Sequence, residues 1–215
     1  MSLITQCWDL PYKSFLRGLK KAKLTTEQQR QLIRHRCRHD LQFFARFFFN
    51  DHCSLSFSQL HTDFFEREKD IQRRGVRQVI AAPRGHAKTT FYALIKVIHA
   101  IVYQYEAYIL IIGLAQPDAT RKVADVLEEL RHNELLKEVY GQLAPKRGDY
   151  TGVARWGTKQ FITQNGVVVE GRSKGQSLRG LKRGAHRPTL ILCDDIESLE
   201  GVQNEEQRKK PTTGL

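Results

Sequence analysis

A lysine followed by a threonine, Lys88 and Thr89, stands at the start of a helix-forming stretch. The preceding residues 78–82 are an apolar run that predicts a buried strand, and residues 83–85 predict a tight turn. Backbone N–H groups at a helix N-terminus bind phosphate, a lysine adds positive charge, and a hydroxyl can hold Mg²⁺. The pattern therefore predicts a phosphate-binding loop over residues 82–90. An ordinary strand, turn and helix whose lysine only caps the helix is the alternative.

This loop departs from the usual GxxxxGK[ST] pattern of phosphate-binding loops. Ala82 and Ala87 occupy the two glycine positions of that pattern, and a glycine stands at position 85 instead. The residues that we expect to line a bound phosphate are Gly85, His86, Ala87, Lys88, Thr89 and Thr90.

Carboxylates follow a second apolar run, residues 189–193, which predicts another buried strand. Because α/β sheets bind ligands at the carboxyl ends of their strands, Asp194 can hold a hydrated Mg²⁺ beside the phosphate loop. A second carboxylate can orient the attacking water. Asp195 is favoured because it follows directly, and Glu197 stays a candidate because its side chain is longer. An acidic turn with no chemical role is the alternative.

The elements that must position these residues alternate between helix and strand. Residues 88–104 carry apolar side chains at helical spacing, residues 108–112 predict a buried strand, and a helix is expected from about residue 118 to 132. This alternation is typical of a mostly parallel α/β sheet flanked by helices. Residues 160–163 and 167–170 flank an Asn-Gly dipeptide, which predicts a hairpin with a type I′ turn.

Upstream of the sheet, the sequence predicts helices. Residues 1–40 are basic and form a helical appendage in this interpretation, residues 40–49 predict a phenylalanine-rich helix that packs onto the main domain, and residues 58–74 predict another helix. We therefore expect an appendage over 1–40, a core domain over 41–200 and a polar tail over 201–215.

The composition narrows the classes of protein. The 215 residues include 35 Lys+Arg against 23 Asp+Glu, a net charge of +12, and 40% of the residues are hydrophobic. Such a chain can bury a core, which argues against disorder, and its positive charge favours polyanionic partners. No apolar run approaches the roughly 20 residues that span a bilayer, and the few cysteines suit reduced thiols. We expect a soluble, intracellular protein.

The ordered motifs resemble the ATPase region of the large terminase subunit of tailed bacteriophages, the motor that packages DNA into proheads. Residues 84–89 reproduce the deviant Walker A form RGxAK[ST] of that family, and residues 194–197 reproduce its DDIE segment. The similarity extends from about Asp40 to Arg208. Between the two motifs lie the further elements of the pattern, which are Trp156, Asn165 with Gly166, Arg179 with Gly180, and Arg187 with Pro188.

The resemblance implies a P-loop NTPase fold of the ASCE/RecA-like class, with ATP and Mg²⁺ as cofactors. It implies that Lys88 and Thr89 bind phosphate and magnesium, and that Asp194 is the Walker B aspartate. Arg84 is similar to the arginine that senses or neutralises the γ-phosphate in this family, with a surface arginine in a turn as the alternative. Gln59 stands in a segment similar to the one that contacts adenine, although a glutamine on a helix surface explains it almost as well.

The family resemblance also implies partners. They are double-stranded DNA, a portal protein, a small terminase subunit and further copies of the chain in a ring, in the bacterial host cytoplasm and transiently at the prohead portal, with no membrane. A basic loop near the expected nucleotide site could face DNA phosphates, a neighbouring subunit's ATP or only water. Its cations are Arg179, Lys182, Arg183 and Arg187.

The sequence departs from the family after the Walker B strand. The family has two further sheet strands and a nuclease domain there, whereas about 20 polar residues follow Asp195. We therefore expect a sheet that is incomplete at its C-terminal end, no nuclease activity, and an origin as a truncated or prophage gene product, with a deliberate fragment or a protein completed by another chain as alternatives. The alternative functions are an ATP-independent DNA- or capsid-binding remnant and a helicase- or recombination-type P-loop ATPase.

Overall fold

The computed structural model describes residues 11–53, 55–71, 76–150 and 156–197. The chain divides into two compact units. The first comprises Met1–Pro83 with Glu138–Tyr140, and the second comprises Arg84–Lys137 with Gly141–Leu215. The predicted polar tail lies outside the described residues.

The first unit is helical. Its helices are α1 (Tyr12–Lys21), α2 (Thr26–His39), α3 (Leu41–Phe48) and α4 (Gln59–Ile71). Thr25 and Gln28 form a capping box at the start of α2, in which each side chain accepts a hydrogen bond from the other residue's backbone N–H. The Asp40 carboxylate accepts a hydrogen bond from the backbone N–H of Phe43 at 2.8 Å and so caps α3. The helices predicted in this part of the sequence are confirmed over the described residues, whereas residues 1–10 and 72–74 of those predictions lie outside them.

Phenylalanines form the core of the first unit. Phe43, Phe44 and Phe48 of α3 are buried. The Phe48 ring lies 5.5 Å from the ring of Tyr140, which belongs to the same unit. Aromatic pairs at such distances add attraction beyond simple area burial. The dense phenylalanine pattern therefore corresponds to a buried helix face.

The second unit contains a four-stranded sheet. Its strands are β1 (Tyr108–Gly113), β2 (Gln160–Ile162), β3 (Val168–Ser173) and β4 (Leu190–Cys193). Their order in the sheet is β2-β3-β1-β4. The central strand β1 pairs in parallel with β3 and β4, and β2 pairs antiparallel with β3. The prediction of a mostly parallel α/β sheet flanked by helices is thereby confirmed. Across the described residues, no helix has both the length and the apolar character that crossing a bilayer requires.

The remaining helices follow the phosphate-loop sequence and strand β1. A helical segment begins at Lys88, widens to π-helical geometry over Thr90–Ile95 and continues as α5 (Lys96–Tyr103). After β1 come α6 (Gln116–His132) and α7 (Glu134–Tyr140). Helix α6 lies so close to the sheet that a Cβ atom at Gly171 of β3 would stand 2.8 Å from the carbonyl oxygen of Ala119. Glycine at position 171 therefore permits this close approach.

The hairpin forms where it was predicted, but its turn differs. The Gly166 N–H donates to the Thr163 carbonyl at 2.9 Å, and Gly166 is left-handed with φ +87°. Asn165 is not among the described residues with positive φ, so the predicted type I′ turn is wrong. The buried Thr163 hydroxyl accepts a hydrogen bond from the Val167 N–H at 2.9 Å. This contact fixes a loop in which only the glycine is left-handed.

The strand predicted at residues 78–82 is wrong. These residues have no regular secondary structure, and the side chain of Val79 is 99% exposed. Strand β4 forms where residues 189–193 predicted one, but among the described strands it lies at the edge of the sheet rather than buried in it, with Ile191 52% exposed. Because a strand needs a hydrogen-bonded neighbour, an apolar run without a described partner forms no regular strand.

Candidate functional site

The site begins at the turn that precedes the helix at Lys88. Gly85 has φ +80° and Ala87 has φ +52°, so both lie in the left-handed region. Ala87 occupies the second glycine position of the usual phosphate-loop pattern, and this backbone geometry explains why glycine suits that position. The left-handed conformation costs an alanine about 1–2 kcal/mol. Local strain of this kind is common in binding loops.

The helix after the turn starts with irregular geometry. The Phe91 N–H donates to the Ala87 carbonyl at 2.8 Å, which begins the helix, and the π-helical turn over Thr90–Ile95 follows directly. Short π-helical insertions are frequent at functional sites. Lys88 and Thr89 therefore stand in the first turn of a helix, where free backbone N–H groups can face an anion.

Thr89 and Asp194 meet although they are 105 residues apart. The Thr89 hydroxyl donates to Oδ2 of Asp194 at 2.8 Å. Asp194 is buried and follows β4, and its backbone N–H donates to the Ile112 carbonyl of β1 at 3.0 Å. The structure thus brings together the two residues predicted to hold Mg²⁺, beside the carboxyl ends of the parallel strands β4 and β1.

Lys122 of α6 is a further residue of this site, and the sequence analysis missed it. Its Nζ lies 2.9 Å from Oδ2 of Asp194 and donates to the Asp194 carbonyl at 3.0 Å. Both side chains are largely buried, at 13% and 11% exposure. Lys122 precedes the buried Val123, but no local pattern in the sequence shows that it faces Asp194. Only the packing of α6 against the sheet reveals the pair.

Asp195 and Glu197 differ in their surroundings. Oδ1 of Asp195 lies 3.7 Å from Nζ of Lys88, and the Asp195 backbone is left-handed with φ +52°. Glu197 is exposed, and among the described residues its side chain forms no ion pair or hydrogen bond. Of the two residues predicted to orient water, Asp195 is therefore the one in contact with the phosphate-loop lysine.

The other residues predicted for nucleotide binding are exposed or already hydrogen-bonded. Arg84 and His86 are both exposed, and the His86 Nδ1 lies 3.1 Å from the Arg84 carbonyl oxygen. Gln59 belongs to the first unit, where its amide donates to Oδ1 of Asp63 at 3.0 Å on the surface of α4. In the structure, Gln59 thus forms a contact within its own helix.

The predicted basic loop lies beside the sheet in the second unit. The guanidinium of Arg183 donates to Oε1 of Gln160 in β2, and its backbone pairs with that of His186. The side chains of Arg179, Lys182 and Arg187 are exposed, and no described residue forms an ion pair or hydrogen bond with them. Three of the four predicted cations are thus available to an anion.

The side-chain oxygen atoms of Thr89 and Asp194 suit Mg²⁺ as ligands. Proteins commonly bind this ion through one or two oxygen ligands together with the phosphates of a substrate. Within the described part of the chain, no group of three or more His, Cys, Asp or Glu side chains could hold a metal ion. A magnesium ion here would therefore depend on the phosphates that accompany it. The nearby Lys122 already supplies one positive charge to Asp194.

Comparison with protein-family models, with curated proteins and with solved structures finds no match to this chain. The functional interpretation therefore depends on the geometry around Lys88, Thr89 and Asp194 and on the resemblance of the sequence motifs.

Proposed function

We propose that this chain is the ATPase region of a DNA-packaging motor of the large-terminase type and that its second unit is a P-loop NTPase domain. The observation that supports this most directly is the 2.8 Å hydrogen bond between Thr89 and Asp194. Chance pairing does not readily explain it, because these two positions correspond to the magnesium-binding residues of the Walker A and Walker B motifs in the resemblance.

In this proposal Lys88 binds the β- and γ-phosphates of ATP. Its present contact with Asp195 is a long ion pair of 3.7 Å, and the Asp195 side chain is 77% exposed. Such exposed pairs contribute little free energy, so a phosphate can replace the carboxylate at small cost. The first helical turn adds backbone N–H groups for the same phosphates.

The Thr89 hydroxyl and the Asp194 carboxylate would hold a Mg²⁺ ion that arrives with ATP and neutralises phosphate charge. To do so, Thr89 turns its hydroxyl proton away from Asp194, since a metal ligand offers a lone pair. The carboxylate of Asp195 orients the attacking water and accepts its proton as the bond between the γ-phosphorus and the bridging oxygen breaks. Glu197 is the alternative acceptor, and Arg84 would neutralise charge on the γ-phosphate.

The partners in this proposal come from the same resemblance. They are double-stranded DNA, a portal protein, a small terminase subunit and a ring of further copies, in the cytoplasm of a bacterial host. The net charge of +12 suits a polyanionic partner.

Calorimetry with ATP and Mg²⁺ on the full chain tests the proposal. We expect saturable binding that weakens about tenfold or more in Lys88→Ala, because one strong charge contact to phosphate is lost. Lys146→Ala is the matched control, since Lys146 is an exposed lysine whose side chain forms no contact among the described residues. Equal binding by the wild type and Lys88→Ala, or no binding by a wild type that is folded by circular dichroism, would contradict the proposal. ATP-independent binding of DNA would then become the leading interpretation.

A further inference from the structure

A second site lies in the second unit between the basic loop and the sheet. It is a pocket of about 440 Å³. Leu110 of β1 and Ile191 of β4 line it from the sheet, where they are direct partners in the parallel ladder. Leu178 and Leu181 of the basic loop line it from the other side. The pocket therefore has apolar walls and a volume that suits a large side chain.

Two arginines also line this apolar pocket. Arg179 and Arg187 are exposed, and no described residue forms a hydrogen bond or ion pair with either guanidinium. An unpaired guanidinium presents donors that fit a carboxylate or a phosphate. Lys182, in the same loop, extends the positive charge beyond the two pocket arginines. The pocket thus offers apolar contact surrounded by positive charge.

Side-chain contacts with the sheet hold the loop in place. The Arg172 guanidinium donates to the Ser177 carbonyl at 3.1 Å, and its Nε donates to the buried carboxylate of Glu170 at 2.7 Å. The Arg183 guanidinium donates to the Gln160 amide oxygen. Because these contacts order the loop before any ligand arrives, the loop loses less conformational entropy when a ligand binds.

We propose that this pocket binds a segment of a partner protein that carries a large apolar side chain flanked by carboxylates. A DNA backbone would satisfy the arginines, but its charged surface would leave the exposed Ile191 and the partly exposed Leu181 without an apolar partner. A small free acid would occupy the pocket but leave the positive charge of Lys182 without a partner. The site is independent of the proposed ATP chemistry and extends the function to recognition of a second protein.

Fluorescence anisotropy with two labelled peptides tests this proposal on the full chain. One is an acidic pentapeptide with a central phenylalanine, and the other has serine in its place. We expect the phenylalanine peptide to bind about tenfold or more tightly, because only its ring is buried in the pocket.

Substitutions separate the apolar contribution from the charge contribution. Ile191→Asn and Leu181→Ser should remove the preference for phenylalanine with no change of charge, whereas Arg187→Glu should weaken both peptides about tenfold. Ile191 is half-exposed and Leu181 lies in a loop, so these variants are expected to fold, which circular dichroism checks. Arg147→Glu, at an exposed arginine with no described side-chain contact, makes the same charge change as a control.

Two results would overturn the proposal. The first is equal affinity for the two peptides, which would mean that the pocket takes no apolar side chain. The second is a DNA duplex that displaces the peptide and loses affinity in Arg187→Glu but not in Ile191→Asn or Leu181→Ser. That pattern would assign the arginines to nucleic acid.

Discussion

Lys122 and Asp194 form an ion pair that joins α6 to the end of β4, with Nζ 2.9 Å from Oδ2 and 3.0 Å from the Asp194 carbonyl oxygen. The ammonium group of the lysine thereby lies beside the same carboxylate oxygen that accepts a hydrogen bond from the Thr89 hydroxyl. In the proposed ATPase site, this ion pair holds the Asp194 side chain in position in the absence of Mg²⁺.

Replacing Lys122 by methionine tests how much this pair stabilises the second unit. Lys122→Met leaves Asp194 with little exposure and no cation, so we expect the free energy of unfolding to fall by about 3 kcal/mol. Adding Asp194→Asn should recover part of that loss, because the buried charge disappears with its partner. Urea unfolding measures the stability of the single and of the double variant. Lys159→Met, at an exposed lysine without described side-chain contacts, is the control, and an equal effect there would contradict the prediction.

Alanine at position 87 is expected to strain the phosphate-loop turn. Because its φ is +52°, Ala87→Gly should raise the free energy of unfolding by about 0.5–1 kcal/mol after the entropic cost of glycine is included. Ala82, the other alanine at a glycine position, is not among the described residues with positive φ, so Ala82→Gly should destabilise or have no effect. Thermal unfolding of the two variants shows whether each substitution raises or lowers the free energy of unfolding. A stabilising Ala82→Gly with a destabilising Ala87→Gly would refute this account.

The contact between β3 and α6 predicts that Gly171 tolerates no side chain. A Cβ atom there would stand 2.8 Å from a backbone oxygen of α6, so we expect Gly171→Ala to lower the free energy of unfolding by about 2 kcal/mol. Gly175→Ala is the matched control, since a Cβ atom at Gly175 meets nothing within 4 Å. Urea unfolding of the pair decides the matter, and equal stability of the two variants would show that α6 moves away at no cost.

Local patterns in the sequence were sufficient to predict the elements whose own residues show which faces are buried. The continuous apolar run at Tyr108–Gly113 predicted β1 because both faces of this strand are buried, and the helical period of Gln116–His132 predicted α6 because one face of this helix is buried. Residues 78–82 have the same kind of apolar run, yet no described strand pairs with them. Strand pairing is a non-local property, and this run alone does not specify a partner.

The candidate site likewise contains residues that the sequence predicted and one residue that it did not. The types and order of Lys88, Thr89 and Asp194 predicted one site, and the Thr89–Asp194 hydrogen bond forms although the strand expected before Lys88 does not. Lys122 could not be predicted, since its role depends on the register between a helix and a distant strand. The predicted turn type at Asn165 was wrong for a related reason, because the hydroxyl of the buried Thr163 accepts a hydrogen bond within the loop and so affects its geometry.

The two carboxylates after Asp194 are expected to behave differently toward ATP. Because Asp195 competes with phosphate for Lys88, Asp195→Asn should tighten ATP binding about threefold while lowering turnover about 100-fold through loss of the proton acceptor. Glu197→Gln has no described contact to lose, so its affinity and turnover should stay within about twofold of the wild type. Calorimetry measures affinity, and release of inorganic phosphate measures turnover. Loss of turnover in Glu197→Gln with normal turnover in Asp195→Asn would assign the water-orienting role to Glu197 instead.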